Sequence, residues 1–307
     1  MTDLEARDRA GRSKNVDLDG LIHYVDYGGD GPPVLLVHGL GGSHLNWMLV
    51  ASRLTEQHRV VTIDLPGFGL SPPEQRSTHV EHQADVVGRF VNDVIRSPAY
   101  LMGNSMGGLV SLLAVDRHPQ AVAGMVLVDA ALPPAALRLP SADTLRFLGP
   151  PLLPGIGGRL IAWARNSRSV EEHVAATIDF IAADPSAVPR EVHEAGHAME
   201  TARRAMPWSI PAFVDAQRSI ASVLLRRREL LRAIHGIGAP VLIVHGAEDR
   251  VVPVESALWL ADIRPDWQIA ILDGVGHVPQ LEAPDAFLDA VGPWLAAAIT
   301  STTPPGA

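Results

Sequence analysis

Two spacings of apolar residues alternate along the chain. Continuous apolar runs ending in Gly, Asp or Asn occur at 33–39 (PVLLVHG), 59–67 (RVVTIDLPG), 99–104 (AYLMGN), 124–130 (GMVLVDA), 239–246 (APVLIVHG) and 267–274 (WQIAILDG). Unbroken runs of this length predict strands buried on both faces of a parallel sheet. Stretches with helical spacing separate them, at 79–96, 106–117, 254–262 and 283–298. The segment 16–28 (VDLDGLIHYVDYG) alternates instead and turns at Asp19-Gly20, which predicts an opening antiparallel hairpin. The layout is α/β, a mostly parallel doubly wound sheet.

Between about 132 and 236 the rhythm changes. The segment opens with LPPAALRLP and LGPPLLPGIGG and continues with helical patterns at 158–166, 170–182, 190–205 and 211–233. A helical stretch between two strand-bearing blocks predicts an insertion over the carboxyl edge of the sheet.

At 307 residues with 47% hydrophobic content, the chain can bury a large core. A formal net charge of −9 argues against a nucleic-acid partner. The chain has no cysteine, which excludes disulfides, thiolate metal sites and a cysteine nucleophile. Lys14 is its only lysine, so P-loop and Schiff-base chemistry are poor fits. The polar, mixed-charge opening MTDLEARDRAGRSKN has no apolar stretch to serve as a signal peptide, and no run approaches the roughly 18 apolar residues of a membrane span. The expectation is a soluble, cytoplasmic protein with frayed ends. Its oligomeric state is not legible.

The chemistry concentrates at Gly103-Asn104-Ser105-Met106-Gly107, a G-x-S-x-G corner between a strand and a helix. Glycines on both sides let strand and helix close on a strained central residue and expose its hydroxyl. The helix N-terminus favours developing negative charge there. A serine nucleophile needs a base, and the base needs an orienting acid. Asp249 follows a late strand in VLIVHGAEDRVVP, and His277 follows the last strand in ILDGVGHVPQLEAP. Strand ends at one edge of a parallel sheet are neighbours in space, so Ser105, Asp249 and His277 can converge. Asp129 is the alternative acid, at the end of the neighbouring strand. The oxyanion hole is expected from the amides of Met106 and of Leu40, in LLVHGLGGS.

HGLGG, DLPGFGLS, GNSMGG, HGAEDRVVP and GHVPQLEAP together resemble the serial signatures of the α/β-hydrolase superfamily. The resemblance covers residues 16–131 and 237–298 as the core. It implies that 132–236 is a helical cap, with 1–15 and 299–307 as flexible termini. It further implies a serine hydrolase without cofactor or metal, acting through an acyl-enzyme on an ester-like bond of a small apolar substrate. Two other readings are a carbon–carbon bond hydrolase of ring-fission diketones and a catalytically silent receptor of the same fold. Asn46 and Asn104 resemble polar positions of the carbon–carbon hydrolases, whereas Val278 stands where those enzymes commonly carry tryptophan. More simply, Asn104 suits a strained turn and Asn46 caps a helix beginning at WMLVA. Trp163, Trp208 and Phe213 are candidates for lining an acyl pocket. Asp64 is expected to fix the PGFG loop, and RRRE (226–229) to be a solvated face. HEAGH (193–197) fits a zincin pattern, but a helix glycine and the lack of a third ligand favour an ordinary helix face carrying His193 and His197. GLGGSH (39–44) fails as a dinucleotide fingerprint because its third glycine position is His44.

Overall fold

In the computed structural model the described residues are 11–133, 149, 153 and 155–302. Most of the Pro-rich opening of the insertion (134–148, 150–152 and 154) lies outside them, as do 1–10 and 303–307. Eight strands form one sheet: β1 (Arg12–Asp17), β2 (Leu21–Gly28), β3 (Pro33–Val37), β4 (Arg59–Ile63), β5 (Ala99–Asn104), β6 (Val122–Val128), β7 (Val241–Gly246) and β8 (Gln268–Leu272). Their order is β1-β2-β4-β3-β5-β6-β7-β8. The hairpin β1–β2 and the β2–β4 pair are antiparallel, and every later pair is parallel.

The continuous apolar runs form the sheet interior, where β3, β5 and β7 are buried at every position. Alternate residues feed opposite cores. Leu35, Val37 and Leu101 face one apolar cluster, and Val34, Leu36, Tyr100 and Met102 face the other. The last run behaves differently. As the edge strand, β8 pairs only with β7 and leaves Gln268 and Ile269 exposed.

The helices are α1 (Ala51–Leu54), α2 (Val80–Phe90), α3 (Met106–Arg117), α4 (Gly157–Asn166), α5 (Val170–Ile181), α6 (Arg190–Arg204), α7 (Ser209–Leu225), α8 (Arg227–Gly236), α9 (Val254–Ile263), α10 (Pro279–Glu282) and α11 (Pro284–Thr302). A π-helical turn, Val91–Ile95, extends α2. Helices α4 to α8 fall between β6 and β7, as the predicted insertion requires. The helix expected over 211–233 is two helices, because Arg226 leaves helical geometry at φ −78°, ψ 46°. Its guanidinium donates to Glu81 on α2 at 2.8 Å, so part of RRRE is an anchor and not a free solvated face.

The insertion feeds both cores. Val174, Val192, Ala195 and Met199 of α5 and α6 join the cluster around Leu45, Trp47 and Phe287, whereas Ala216, Ile220 and Val223 of α7 join the other. Of the expected flexible ends, residues 12–15 belong to β1 and 299–302 to α11. Lys14 pairs with Tyr24 across β1–β2 and bonds Asp26 at 2.9 Å, and α11 runs past residue 299. No helix among the described residues is long and apolar enough to cross a membrane.

Candidate active site

Every residue from Ala99 to Val115 is buried except Ser105. The corner that achieves this is strained, with Ser105 at φ 55°, ψ −116°. A non-glycine residue held there costs about 1–3 kcal/mol, so its surroundings must impose it. Strand β6 does so: the Ser105 amide donates to Val128 O at 2.9 Å, and the Ala131 amide donates to Ser105 O at 2.9 Å. Gly107 must be small because a Cβ there would run into the Val37 carbonyl. Met106 opens α3, so its N–H belongs to the first turn, where no helix carbonyl can accept it.

Strands β6 and β7 are the next two in the sheet beyond β5, about 4.8 Å apart each. Asp249 lies three residues past β7 and His277 five past β8. The structure brings them together, with His277 Nδ1 donating to Asp249 Oδ2 at 2.7 Å. Asp249 Oδ1 accepts from the Val251 and Val252 amides at 2.7 and 3.0 Å. Burial alone would raise this carboxyl, but the neighbouring His277 ring, its hydrogen bond, His245 and the Val252 amide offset that and hold it below the usual range. Asp129 does not take the place of Asp249 beside the histidine.

Asn104 has a different role from the expected substrate contact. Its Nδ2 donates to Val128 O at 3.2 Å and to His277 O at 3.0 Å, so it ties the end of β5 to the histidine loop. Asn46 likewise serves the backbone. Its Oδ1 accepts from the Ser43 amide at 3.0 Å, within a capping box in which Ser43, and not Asn46, caps the turn His44–Trp47.

Leu40 sits in a tight turn closed by Gly42 N donating to Gly39 O at 3.0 Å. Gly41 has φ +69°, the conformation glycine supplies at the third position of a type II turn. The turn lies against the corner, since a Cβ on Gly39 would stand 3.2 Å from Ser105 Cβ. His38 braces it from below: Nδ1 donates to Gly39 O at 2.7 Å, and Nε2 accepts from the Leu65 amide at 3.0 Å. Burial pushes His38 down to about 4, so it is neutral at physiological pH. Sequence reasoning passed over this histidine. Its signal was its place between a buried strand and the glycines.

Beyond the turn, Asp64 Oδ1 accepts from the His44 amide at 2.6 Å, and Oδ2 accepts from Leu70 N at 2.8 Å and His23 Nδ1 at 2.9 Å. The carboxylate thus holds the PGFG loop, as expected, and also the hairpin and the Gly39–Gly42 turn. Burial works against its charge, but His44 and His23 outweigh it and hold Asp64 well below its ordinary value.

The insertion supplies Phe213, whose Cε2 lies 3.2 Å from where a Cβ on Gly41 would be. Trp208 is half-buried at the start of α7, and Val278 is buried in the cluster with Trp47. Trp163 is 72% exposed, which does not fit the wall of an acyl pocket expected of it. Missed from the sequence was Glu282. Glu282 accepts from the Gly276 amide beside the histidine and from the Asp184 amide of the insertion, at 2.8 and 2.7 Å. Arg203 continues the buried stripe Val192-Ala195-Met199 of α6, and its charge acts on both Asp64 and His38. Among the described residues, two groups of His and Asp side chains are close enough to share an ion, His23-His44-Asp64 and Asp129-His245-Asp249. His193 and His197 belong to neither. Gly196 between them lets α6 approach Val174 of α5.

The chain belongs to the alpha/beta hydrolase fold family, whose sequence profile matches residues 32–284. It is similar to the dihydrolipoyllysine-residue acetyltransferase component of an acetoin cleaving system from Pseudomonas putida, 28% identical over 267 residues. That match takes in 86% of this chain but only 63% of the relative's length. It is also similar to a 2-hydroxymuconate semialdehyde hydrolase from Pseudomonas sp. strain CF600, 29% identical with 88% of this chain and 89% of the relative covered. Among solved structures, a proposed lipase from Acinetobacter baumannii AYE superposes with a TM-score of 0.78 at 25% identity, over 97% of this chain and 96% of the other.

The Asp64 cluster makes a prediction about stability. Because the folded state depresses this carboxyl, its ionised form stabilises the fold above about pH 4 and loses that effect as pH falls further. Asp64→Asn is expected to cost roughly 3 kcal/mol at pH 7, with the gap to wild type closing in acid. Denaturant unfolding across pH checks this, and a gap that does not change with pH contradicts it.

Proposed function

We propose that the chain is a cofactor-independent serine hydrolase that cleaves an ester-like bond in a small, largely apolar substrate. The observation that carries the reading is Ser105, the one accessible residue of a buried stretch, strained at a helix N-terminus beside a hydrogen-bonded His277–Asp249 pair. With Nδ1 engaged by Asp249, Nε2 is the nitrogen left to act on the serine. Ser105 Oγ attacks the carbonyl carbon as His277 takes its proton. The Leu40 and Met106 amides hold the oxyanion, each such donor contributing about 2.7–4 kcal/mol to the transition state. His277 returns the proton to the leaving alcohol, and water releases the acyl group by the same route. In this reading residues 132–236 form the cap, and Phe213 walls the acyl site.

Ser105→Ala is expected to abolish ester turnover and phosphonate labelling while leaving the unfolding curve near wild type, since the hydroxyl contributes little packing. Asp249→Asn should lower kcat by about 10⁴-fold by turning the imidazole to the wrong tautomer. Turnover by Ser105→Ala defeats the serine mechanism. A wild-type protein that neither labels nor turns over would be a receptor of this fold.

One observation favours the carbon–carbon reading as a second possibility. Glu200, buried in α6, is already bonded by Arg165 at 2.7 and 3.3 Å and by Arg204 at 3.1 Å. Arg203 stands 3.7 Å away, leaving surplus positive charge near the oxyanion turn that would suit a substrate carboxylate. Against it, Asn46 and Asn104 serve the backbone, and Val278 replaces the tryptophan common after the histidine of those enzymes. Activated short- to medium-chain esters should therefore outrun ring-fission diketones. A diketone kcat/KM about 10²-fold above the best ester, roughly 2.7 kcal/mol, would reverse that order. In that case Arg203→Gln should impair the diketone and spare the ester.

A further inference from the structure

Behind the triad acid lies a second carboxyl that the catalytic steps do not use. Asp129 is wholly buried at the end of β6 with φ 43°, an uncommon conformation for a non-glycine residue. The two backbone bonds that fix Ser105 flank it, one at Val128 and one at Ala131. Its own amide donates to Val244 O of β7 at 3.0 Å. On the side-chain side, Oδ1 accepts from the Gly246 amide at 2.9 Å, whereas buried Oδ2 has no donor among the described residues. Oxygens of Asp129 and Asp249 lie within 4.8 Å of each other and of the His245 ring.

Two carboxylates this close in a dry interior cannot both be ionised. The donors decide which keeps the charge. Asp249 receives His277 Nδ1 and two amides; Asp129 receives one amide. His245 does not neutralise the pair: burial lowers its affinity for a second proton, and this outweighs the opposing pull of Asp249 and of the Val252 carbonyl that its Nε2 bonds at 2.9 Å. Glu282 on α10 adds repulsion. Burial first, and then the charge of Asp249, raise the Asp129 carboxyl well above its ordinary value.

We propose that Asp129 is a positioning residue of the triad: its protonated Oδ2 donates a hydrogen bond to Asp249, fixing that carboxylate toward His277 and linking it to the strand end that holds Ser105. The proposal rests on the serine-hydrolase reading for its kinetic consequences, though not for the proton itself. Where pH rises far enough to remove that proton, the two carboxylates repel and the acid is displaced from the imidazole. The sign for stability follows. The folded chain keeps a proton that the unfolded chain releases near pH 4, so Asp129 makes wild type less stable as pH rises beyond that.

The test compares wild type, Asp129→Asn and Asp129→Leu as full chains. On an activated ester, Asp129→Leu should lose about tenfold in kcat with KM little changed, and the amide of Asp129→Asn should restore most of that loss. Wild type should show an alkaline decline in kcat that Asp129→Asn lacks. Asp129→Asn should also gain melting temperature over wild type as pH rises from 4 to 9. Equal kcat in Asp129→Leu and wild type, or the same alkaline decline in Asp129→Asn, overturns the proposal. If Asp129→Leu does not fold or no ester is turned over, infrared difference spectra decide. A protonated carboxyl C=O band present in wild type and absent in Asp129→Asn supports the assignment, and its absence from wild type refutes it.

Discussion

The backbone of Ser105 is the constraint from which the rest of the site follows. A left-handed corner between a buried strand and a buried helix is unfavourable, and it persists because β6 grips it on both sides through Val128 and Ala131. That grip requires β6 to lie beside β5 in register, with Asn104 opposite Val128. It also requires α3 to pass within contact of β3, which only a glycine at 107 permits. The sheet supplies a rigid frame on which one residue is held in a conformation it would not choose. The same frame sets the acid and the histidine at the ends of neighbouring strands.

Charge in this interior is sorted by the number of donors each group receives. Asp64 and Asp249 each collect at least three and stay ionised despite burial. Glu200 does the same through arginines. His38 is satisfied as a neutral ring by one carbonyl and one amide, and a proton on its Nε2 would face the Leu65 N–H. Such fully partnered groups rigidify the loops they join, and a single missing donor would be costly. The Gly39–Gly42 turn therefore owes its shape less to its own sequence than to His38 beneath it and Asp64 beyond it.

Much of this was legible from the chain. Unbroken apolar runs gave the parallel strands because burial on both faces leaves no polar alternation to read, and the glycine-flanked serine announced its own corner. The order Ser105, Asp249, His277 selected the acid that pairs with the histidine over Asp129. What escaped depends on tertiary partners. The exposure of Trp163, the break at Arg226 and the uncovered face of β8 follow from what packs alongside, which local spacing does not encode. Asn46 and Asn104 each carried two readings, a substrate contact and a local backbone role, and both bond backbone. A polar side chain near a nucleophile carries no mark of which way it faces.

The insertion, finally, is tied to the histidine loop and not merely laid over it. The His277 amide donates to Ile181 O at 2.7 Å, at the end of α5, and Arg250 Nη2 donates to Ala182 O at 2.5 Å. Glu282 joins Gly276 to Asp184, and a Cβ on Gly276 would meet the backbone at Ala182 and Ala183. The stretch 181–184 and the histidine loop therefore behave as one packed unit. On the other flank α7 is tied down as well: Thr78 Oγ1 donates to Ala212 O at 3.1 Å and the Val80 amide donates to Ser219 Oγ at 3.0 Å, with the Phe213 ring beside Gly41. Both flanks therefore join the insertion to the core through buried hydrogen bonds. Displacing either one would leave buried polar groups without partners, so the insertion and the loops beneath it hold together as one packed structure.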